Sequence, residues 1–316
     1  MNPIRLAVVG AGAFGQNHLR VIRENPRAKL AAILDTDPSR AALAAQPDNC
    51  PVFHSLHDLQ GNVDAAIVST PTTSHADVAC ALLAQGIDVL VEKPIASDLA
   101  AARRIIHASP GRIVQVGHLE RFNAAILALR KMVTTPLFFE IHRMSQFTAR
   151  SLDVDVVLDL MIHDIDLVLD MVQAQPGEIR AAGISILSKK VDIANVRLAF
   201  PSGCVANITA SRVSTERVRK MRLFQPSQYV SIDYSRQDGA VFTVGAEQKI
   251  SFQTLQVAKI EPLKAQLDAF LDSIETRQPP ACGALQASQA LEVATGILAK
   301  IEEHASLVAQ TLASAP

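Results

Sequence analysis

The feature that most constrains this chain is a glycine triplet set directly after an apolar run. Gly10-Ala11-Gly12-Ala13-Phe14-Gly15 follows Leu6-Ala7-Val8-Val9 and precedes a stretch of helical spacing, Asn17 to Glu24. Glycines so placed permit a tight turn and let backbone amides approach a pyrophosphate at a helix N-terminus. A second apolar run, Leu30 to Leu34, ends in Asp35, which lies 35 − 15 = 20 residues past the last glycine. An acid at that distance is placed to accept hydrogen bonds from an adenosine ribose. A G-x-G-x-x-G alone is a weak signal, but strand, glycine turn, helix and second strand together commit the segment to a βαβ unit. A carboxylate at position 35 would repel a 2′-phosphate, and no arginine follows until Arg40. The expected cofactor is therefore NAD and not NADP.

The alternation continues. Ala65 to Ser69, Val89 to Val91 and Ile113 to Val116 are strand-like apolar runs, with helical spacing between them, as at His75 to Gln85. Continuous apolar runs are strands buried on both faces, so the sheet is parallel. After about residue 120 the pattern changes. Helices are expected over Asn123 to Val133 and Val156 to Val172, with a strand from Leu137 to Met144. Closely spaced strands follow at Ile179–Ser188, Ala194–Phe200, Cys204–Val213, Arg217–Phe224, Tyr229–Tyr234 and Ala240–Val244. They predict a mostly antiparallel sheet. Two helices close the chain, Leu263 to Thr276 and Ala284 to Thr311. The fold class is α/β, with an N-terminal domain over 1–118 and an α+β domain over 119–316, onto whose predecessor the C-terminal helices can pack back.

Composition narrows the function classes. At 316 residues, 49% hydrophobic and 19% charged, the chain has the length and apolar content of two globular domains. A net charge of −1 leaves no electrostatic footprint for nucleic acid or an anionic membrane. Cys50, Cys80, Cys204 and Cys282 are isolated, with no C-x-x-C pair, which suits a reducing cytoplasm. The opening run Ile4 to Val9 is too short for a signal peptide or a membrane span.

Three further segments carry a resemblance: Ser69-Thr70-Pro71-Thr72-Thr73-Ser74-His75, Glu92-Lys93-Pro94-Ile95, and Asp159-Leu160-Met161-Ile162-His163-Asp164-Ile165-Asp166. With the glycine fingerprint, and in this order, they resemble the Gfo/Idh/MocA family of sugar and cyclitol oxidoreductases. The resemblance implies an N-terminal Rossmann domain and an open-faced sheet domain often used for oligomer contacts, hence a homodimer or homotetramer. It places NAD over the Lys93 region, with Glu92 and Lys93 beside the cofactor and Lys93 near the nicotinamide and a substrate hydroxyl. It assigns the helical Asp/His pair to Asp159 and His163, and it matches Arg121 to a substrate-binding position. Gly117-His118-Leu119-Glu120-Arg121-Phe122-Asn123 further resembles the branch that oxidises the 3-hydroxyl of UDP-N-acetylglucosamine, although that branch commonly has proline where this chain has Ala124. That implies a nucleotide-sugar substrate, a role in lipid A or surface polysaccharide synthesis, and a downstream aminotransferase. Oxidation of inositol or a free sugar is the alternative, and a non-catalytic NAD(H)-binding regulator a second.

Asp159 and His163 are four apart and share a helix face, with Asp166 and Asp170 continuing the stripe. On an otherwise apolar helix that stripe should face a cleft. Imidazole titrates near pH ~6.5, which suits His163 as general base. Asp159 would support it, and Lys93 would stabilise alkoxide charge or itself take the proton. Alone, Lys93 reads as a surface lysine before a proline. Thr70 and Pro71 are expected to contact the dinucleotide, with His75 beside them or merely opening a helix. Arg121 and Asn123 fall at the expected domain junction and are candidate substrate contacts. Arg212, Arg217, Arg219, Lys220 and Arg222 form a basic cluster, from which Arg212 is taken as a candidate for a diphosphate; a solvated or interface strand is the competing reading. His and carboxylates can bind zinc, but no full ligand set is evident, so no metal is expected.

Overall fold

The computed structural model describes residues 2–147 and 154–313. Its contacts divide the chain into two units, one running to Leu119 and joined by Glu261–Ser288, the other comprising Glu120–Ile260 and the chain from Gln289. The first unit is therefore discontinuous in sequence. The cause is apolar. Helix α7 (Pro262–Thr276, numbered with the elements below) buries Leu263, Leu267, Phe270 and Leu271 in the first core, whereas Ala290, Val293, Ala294 and Ile297 belong to the second.

The first unit holds β1 (Ile4–Val9), α1 (Ala13–Arg23), β2 (Ala28–Leu34), α2 (Pro38–Ala45), β3 (Val52–Phe53), β4 (Ala65–Val68), α3 (His75–Ala84), β5 (Asp88–Val91), α4 (Leu99–Ala108) and β6 (Val114–Val116). The strands form one parallel sheet in the order β3-β2-β1-β4-β5-β6. That is the doubly wound order, whose ligand crevice opens at the carboxyl ends of β1 and β4, where the winding reverses. All four residues of β4 and of β5 are buried, as continuous apolar strands in such a sheet require. Strand β3, only two residues long, carried no readable pattern.

The second unit holds α5 (Ala124–Arg130), β7 (Phe138–Met144), a π-helical turn at Val157–Met161, α6 (Ile162–Val172), β8 (Glu178–Ile184), β9 (Ile193–Ala199), β10 (Val205–Ser211), β11 (Val218–Gln225), β12 (Gln228–Asp233), β13 (Asp238–Val244) and β14 (Ile250–Thr254). Helix α8 (Ala284–Ala313) begins in the first unit and continues into the second. Eight strands run in the order β14-β13-β12-β11-β7-β10-β9-β8, antiparallel except for the parallel pair β7 and β10. Alternation sorts their faces. Phe139, Ile141, Val196, Leu198, Ala206, Ile208, Met221 and Leu223 pack with Val157, Met161 and Ile165 in one core. Lys220, Arg222 and Phe224 point the other way, and Arg222 pairs with Glu140 across the strands. Strand β14 was not anticipated; every residue in it is exposed. Among the described residues no helix is long and apolar enough to cross a membrane.

Candidate active site

Each glycine of the fingerprint has its own reason to be one. Gly10 has φ 95°, and a Cβ there would sit 2.7 Å from the Ser69 carbonyl oxygen. A Cβ on Gly15 would fall 2.0 Å from the Gly10 oxygen. Gly12 is different: a Cβ would meet nothing within 4 Å, so its lack of a side chain leaves open space where a ligand can approach the backbone. Gly12 is also the N-cap of α1, without a side-chain cap and with no acid in the first turn. The leading amides of α1, among them Ala13 and the exposed Phe14, are left for an anion. Ser69 Oγ donates to the Gly10 oxygen at 2.6 Å, closing the loop against the end of β4.

A cavity of about 520 Å3 opens at this point, lined by Gly12, Asp35, Arg40, Thr70 and Pro71 among others. Asp35 accepts hydrogen bonds from Ala11 N at 2.7 Å and Asp37 N at 2.8 Å. A carboxylate has about four acceptor sites; Arg40 Nη1 reaches a third at 3.5 Å, which leaves one for a ribose hydroxyl. The Arg40 guanidinium is neutralised by Asp35 at 3.5 Å and Asp37 at 3.3 Å.

Lys93 follows β5 and is half-buried. Its neighbours are held tightly. Glu92 accepts from His18 of α1, Nε2 to Oε1 2.8 Å, and from Lys93 N at 3.3 Å. A Cβ on Gly117 would lie 2.8 Å from the Glu92 carboxylate, so glycine is needed there to admit it. The Lys93–Pro94 peptide is cis. His75 sits with Nδ1 3.0 Å from the Pro94 oxygen and Nε2 2.9 Å from the Thr70 oxygen. Burial pushes its pKa below the ordinary imidazole value, against the raising effect of both carbonyls. His75 and Glu92 are buried and bonded within the protein, bracing the loops.

In the second unit Asp159 lies in the π turn and His163 just beyond it, both half-buried. A π turn inserts one residue into the helical ladder, and such insertions recur at functional sites. The expected uninterrupted α-helix is thus replaced by two geometries meeting beside His163. The cleft-facing stripe is corrected too. Asp166 accepts from Arg121 Nε at 2.6 Å and Nη2 at 2.8 Å, and Asp170 accepts from Arg121 Nη1 at 2.7 Å. The Arg121 side chain is only 3% exposed and pairs with both acids. Asn123 is likewise structural: it caps α5 through Ala125 N at 3.1 Å and donates to the Tyr234 oxygen at 3.0 Å. Arg212 is buried against Asp192 at 2.8 Å and donates to the Val154 oxygen at 2.7 Å. Asp192 in turn accepts from the amides of Ile186, Leu187 and Ser188, and these hydrogen bonds, with Arg212, hold its carboxyl below the usual range although burial opposes them.

The sequence reading passed over Glu120, Arg143, Asp164 and His18. Arg143 had a usable signal, being a charge at the inward position of the alternation Phe139-Ile141-Arg143.

Comparison with known proteins settles the family. Residues 4–118 match the description "Oxidoreductase family, NAD-binding Rossmann fold", and residues 124–225 match "GFO/IDH/MocA C-terminal domain". The chain belongs to the Gfo/Idh/MocA family. A UDP-N-acetylglucosamine 3-dehydrogenase from Acidithiobacillus ferrooxidans is 32% identical over 95% of this chain and 97% of its own length. The solved structure of that enzyme, GnnA, superposes with a TM-score of 0.91, covering 96% of this chain and 99% of the other. An inositol 2-dehydrogenase from Acidothermus cellulolyticus is 31% identical but matches only 56% of each chain.

This Gfo/Idh/MocA protein is an NAD-dependent dehydrogenase, and its first unit fits that cofactor: an open Gly12, a free helix start and an acid beside the cavity. Asp35→Ser is expected to raise the NAD Kd about tenfold, the loss of one charge-assisted hydrogen bond. The same change releases Arg40 from one of its two carboxylate partners and should tighten NADP. Calorimetric titration with both cofactors checks this; an unchanged NAD Kd would remove Asp35 from the ribose.

Proposed function

We propose that this enzyme oxidises the 3-hydroxyl of UDP-N-acetylglucosamine to a 3-keto nucleotide sugar. The observation that carries the reading is sequence coverage: the sequence match to the A. ferrooxidans dehydrogenase, at 32% identity, runs through both units, whereas the sequence match to the A. cellulolyticus inositol dehydrogenase covers about half the chain. Bound NAD+ supplies a hydride acceptor at its nicotinamide C4. Lys93 Nζ donates a hydrogen bond to the substrate 3-oxygen and stabilises its negative charge as the proton departs. His163 takes that proton at Nε2, its Nδ1 being buried, and Asp159 supports the resulting imidazolium. The C3 hydrogen of the sugar then leaves as hydride, forming the carbonyl.

The product is a ketone suited to a downstream aminotransferase, and so to 3-amino sugars of lipid A or surface polysaccharide. Those roles, together with a cytoplasmic location, extend the same reading. A homodimer or homotetramer is supported by the outward face of the second sheet. There Phe138, Phe224, Tyr229, Phe242 and Phe252 form a ladder with centroid spacings of 4.7–5.8 Å. Phe252 is 60% exposed and Ile250 is 72% exposed, apolar surface of the kind a second copy covers.

The test is NADH formation from NAD+ with UDP-N-acetylglucosamine, free N-acetylglucosamine and myo-inositol, each with a ketone trap. Turnover confined to the UDP-sugar is the expected result. Turnover of inositol with the UDP-sugar inert would overturn the assignment.

A further inference from the structure

Both peptide neighbours of Lys93 are gripped by buried histidines, and each histidine comes from a helix that starts at a dinucleotide loop. His18 lies on α1, which begins at the glycine turn, and holds Glu92 at 2.8 Å. His75 opens α3, directly after the Thr70-Pro71 loop that lines the cavity, and touches the Pro94 oxygen at 3.0 Å. Each ring is 1% exposed, so neither presents itself as a ligand contact. The same His75 ring reaches back to the Thr70 oxygen at 2.9 Å. Ser74 stiffens this loop, its hydroxyl meeting Thr70 Oγ1 at 2.9 Å and the Pro71 oxygen at 2.8 Å.

We propose that His18 and His75 are positioning residues that tie the Lys93 segment to the two loops receiving the dinucleotide, so that filling the cavity fixes where Lys93 can reach. The inference rests on the proposed function only in giving Lys93 the substrate oxygen.

The chemistry of the His75 contacts makes the tie divisible. Both of its partners are carbonyl oxygens, which only accept. A neutral ring donates to one and turns a lone pair toward the other; the tautomer decides which. An asparagine amide nitrogen can occupy the place of Nδ1, and a glutamine amide nitrogen the place of Nε2. His75→Asn thus offers a donor to the Pro94 oxygen alone, and His75→Gln a donor to the Thr70 oxygen alone. On the α1 side, His18→Gln keeps a donor to Glu92 and His18→Leu removes it.

Two readouts need no sugar: the NADH Kd from nicotinamide fluorescence, and the rate at which an amine-acylating reagent labels Lys93, followed by peptide mass spectrometry with and without NADH. Wild type is expected to show labelling that NADH changes severalfold. His75→Asn should weaken NADH about five- to tenfold, the size of one hydrogen bond. His75→Gln should leave the Kd within about twofold, on the same scale of one retained bond, but abolish the effect of NADH on labelling. His18→Leu should abolish that effect as well, and His18→Gln should restore it. Identical profiles for the asparagine and glutamine variants, or NADH-sensitive labelling that survives in both His75→Gln and His18→Leu, would overturn the proposal. Should UDP-N-acetylglucosamine fail as substrate, these readouts still stand, so the two ideas fail separately.

Discussion

Lys93→Ala and His163→Ala are each expected to lower kcat by about 10²–10⁴-fold, the range for losing a general acid–base group or a donor to developing oxyanion charge. NAD binding should persist in both. The dinucleotide cavity is built from the glycine turn, Asp35 and the Thr70-Pro71 loop, none of which either change touches. His163 belongs to the second unit altogether. On the proposed mechanism, in which both side chains act on the 3-oxygen, the double variant should cost little more than the worse single one. Lys93→Arg should not rescue, since a planar fork replaces a compact ammonium. Steady-state kinetics with the sugar that turns over, beside NADH binding measured on the same preparations, check all of this. Near-native turnover in both single variants with intact NAD binding would remove the mechanism.

Much of this was legible before any coordinates. The parallel sheet could be read because strands buried on both faces leave unbroken apolar runs, as β4 and β5 do. The glycine turn could be read because geometry dictates composition there: Gly10 and Gly15 have no room for a Cβ and Gly12 must leave the space empty. Polar residues were harder. A sequence names a charge but not its partner: Arg121 and Asn123 stand out at the expected domain junction, and Arg212 in a basic cluster. Their partners Asp166, Tyr234 and Asp192 lie 45, 111 and 20 residues away. The π turn at Val157–Met161 was hidden for another reason: one extra residue leaves an almost wholly apolar helix apolar, so no periodicity breaks. His18 and His75 matter through backbone carbonyls and one carboxylate, contacts that no residue pattern advertises.

The largest stability effect is expected from Arg143→Met. Arg143 is 2% exposed on the inward face of β7, with Nε and Nη2 on Asp164 at 2.6 and 2.9 Å and Nη1 on Glu120 at 2.9 Å. Its guanidinium carbon also stands 5.4 Å from the centroid of the Tyr234 ring. Burial lowers the pKa of such a group, but the carboxylates of Asp164 and Glu120 more than reverse it, so the charge is held. Removing the cation leaves two acids in a core with half their compensation gone; Arg219 reaches Glu120 only at 3.4 Å. Breaking a buried pair from one side costs about 3–5 kcal/mol, a large share of the roughly 5–15 kcal/mol that holds a domain together. Replacing both sides is another matter. The triple change Arg143→Met, Asp164→Leu and Glu120→Gln should recover most of the loss, because it deletes the unpaired charges along with the pair. Urea unfolding followed by circular dichroism reads the difference. Activity should not return with stability, since Asp164 adjoins His163 and Glu120 precedes Arg121, so the triple variant relaxes the two segments that hold the base-bearing helix. A lone Arg143→Met variant that unfolds at the wild-type midpoint would show that the Arg143 network adds nothing to the hold on α6.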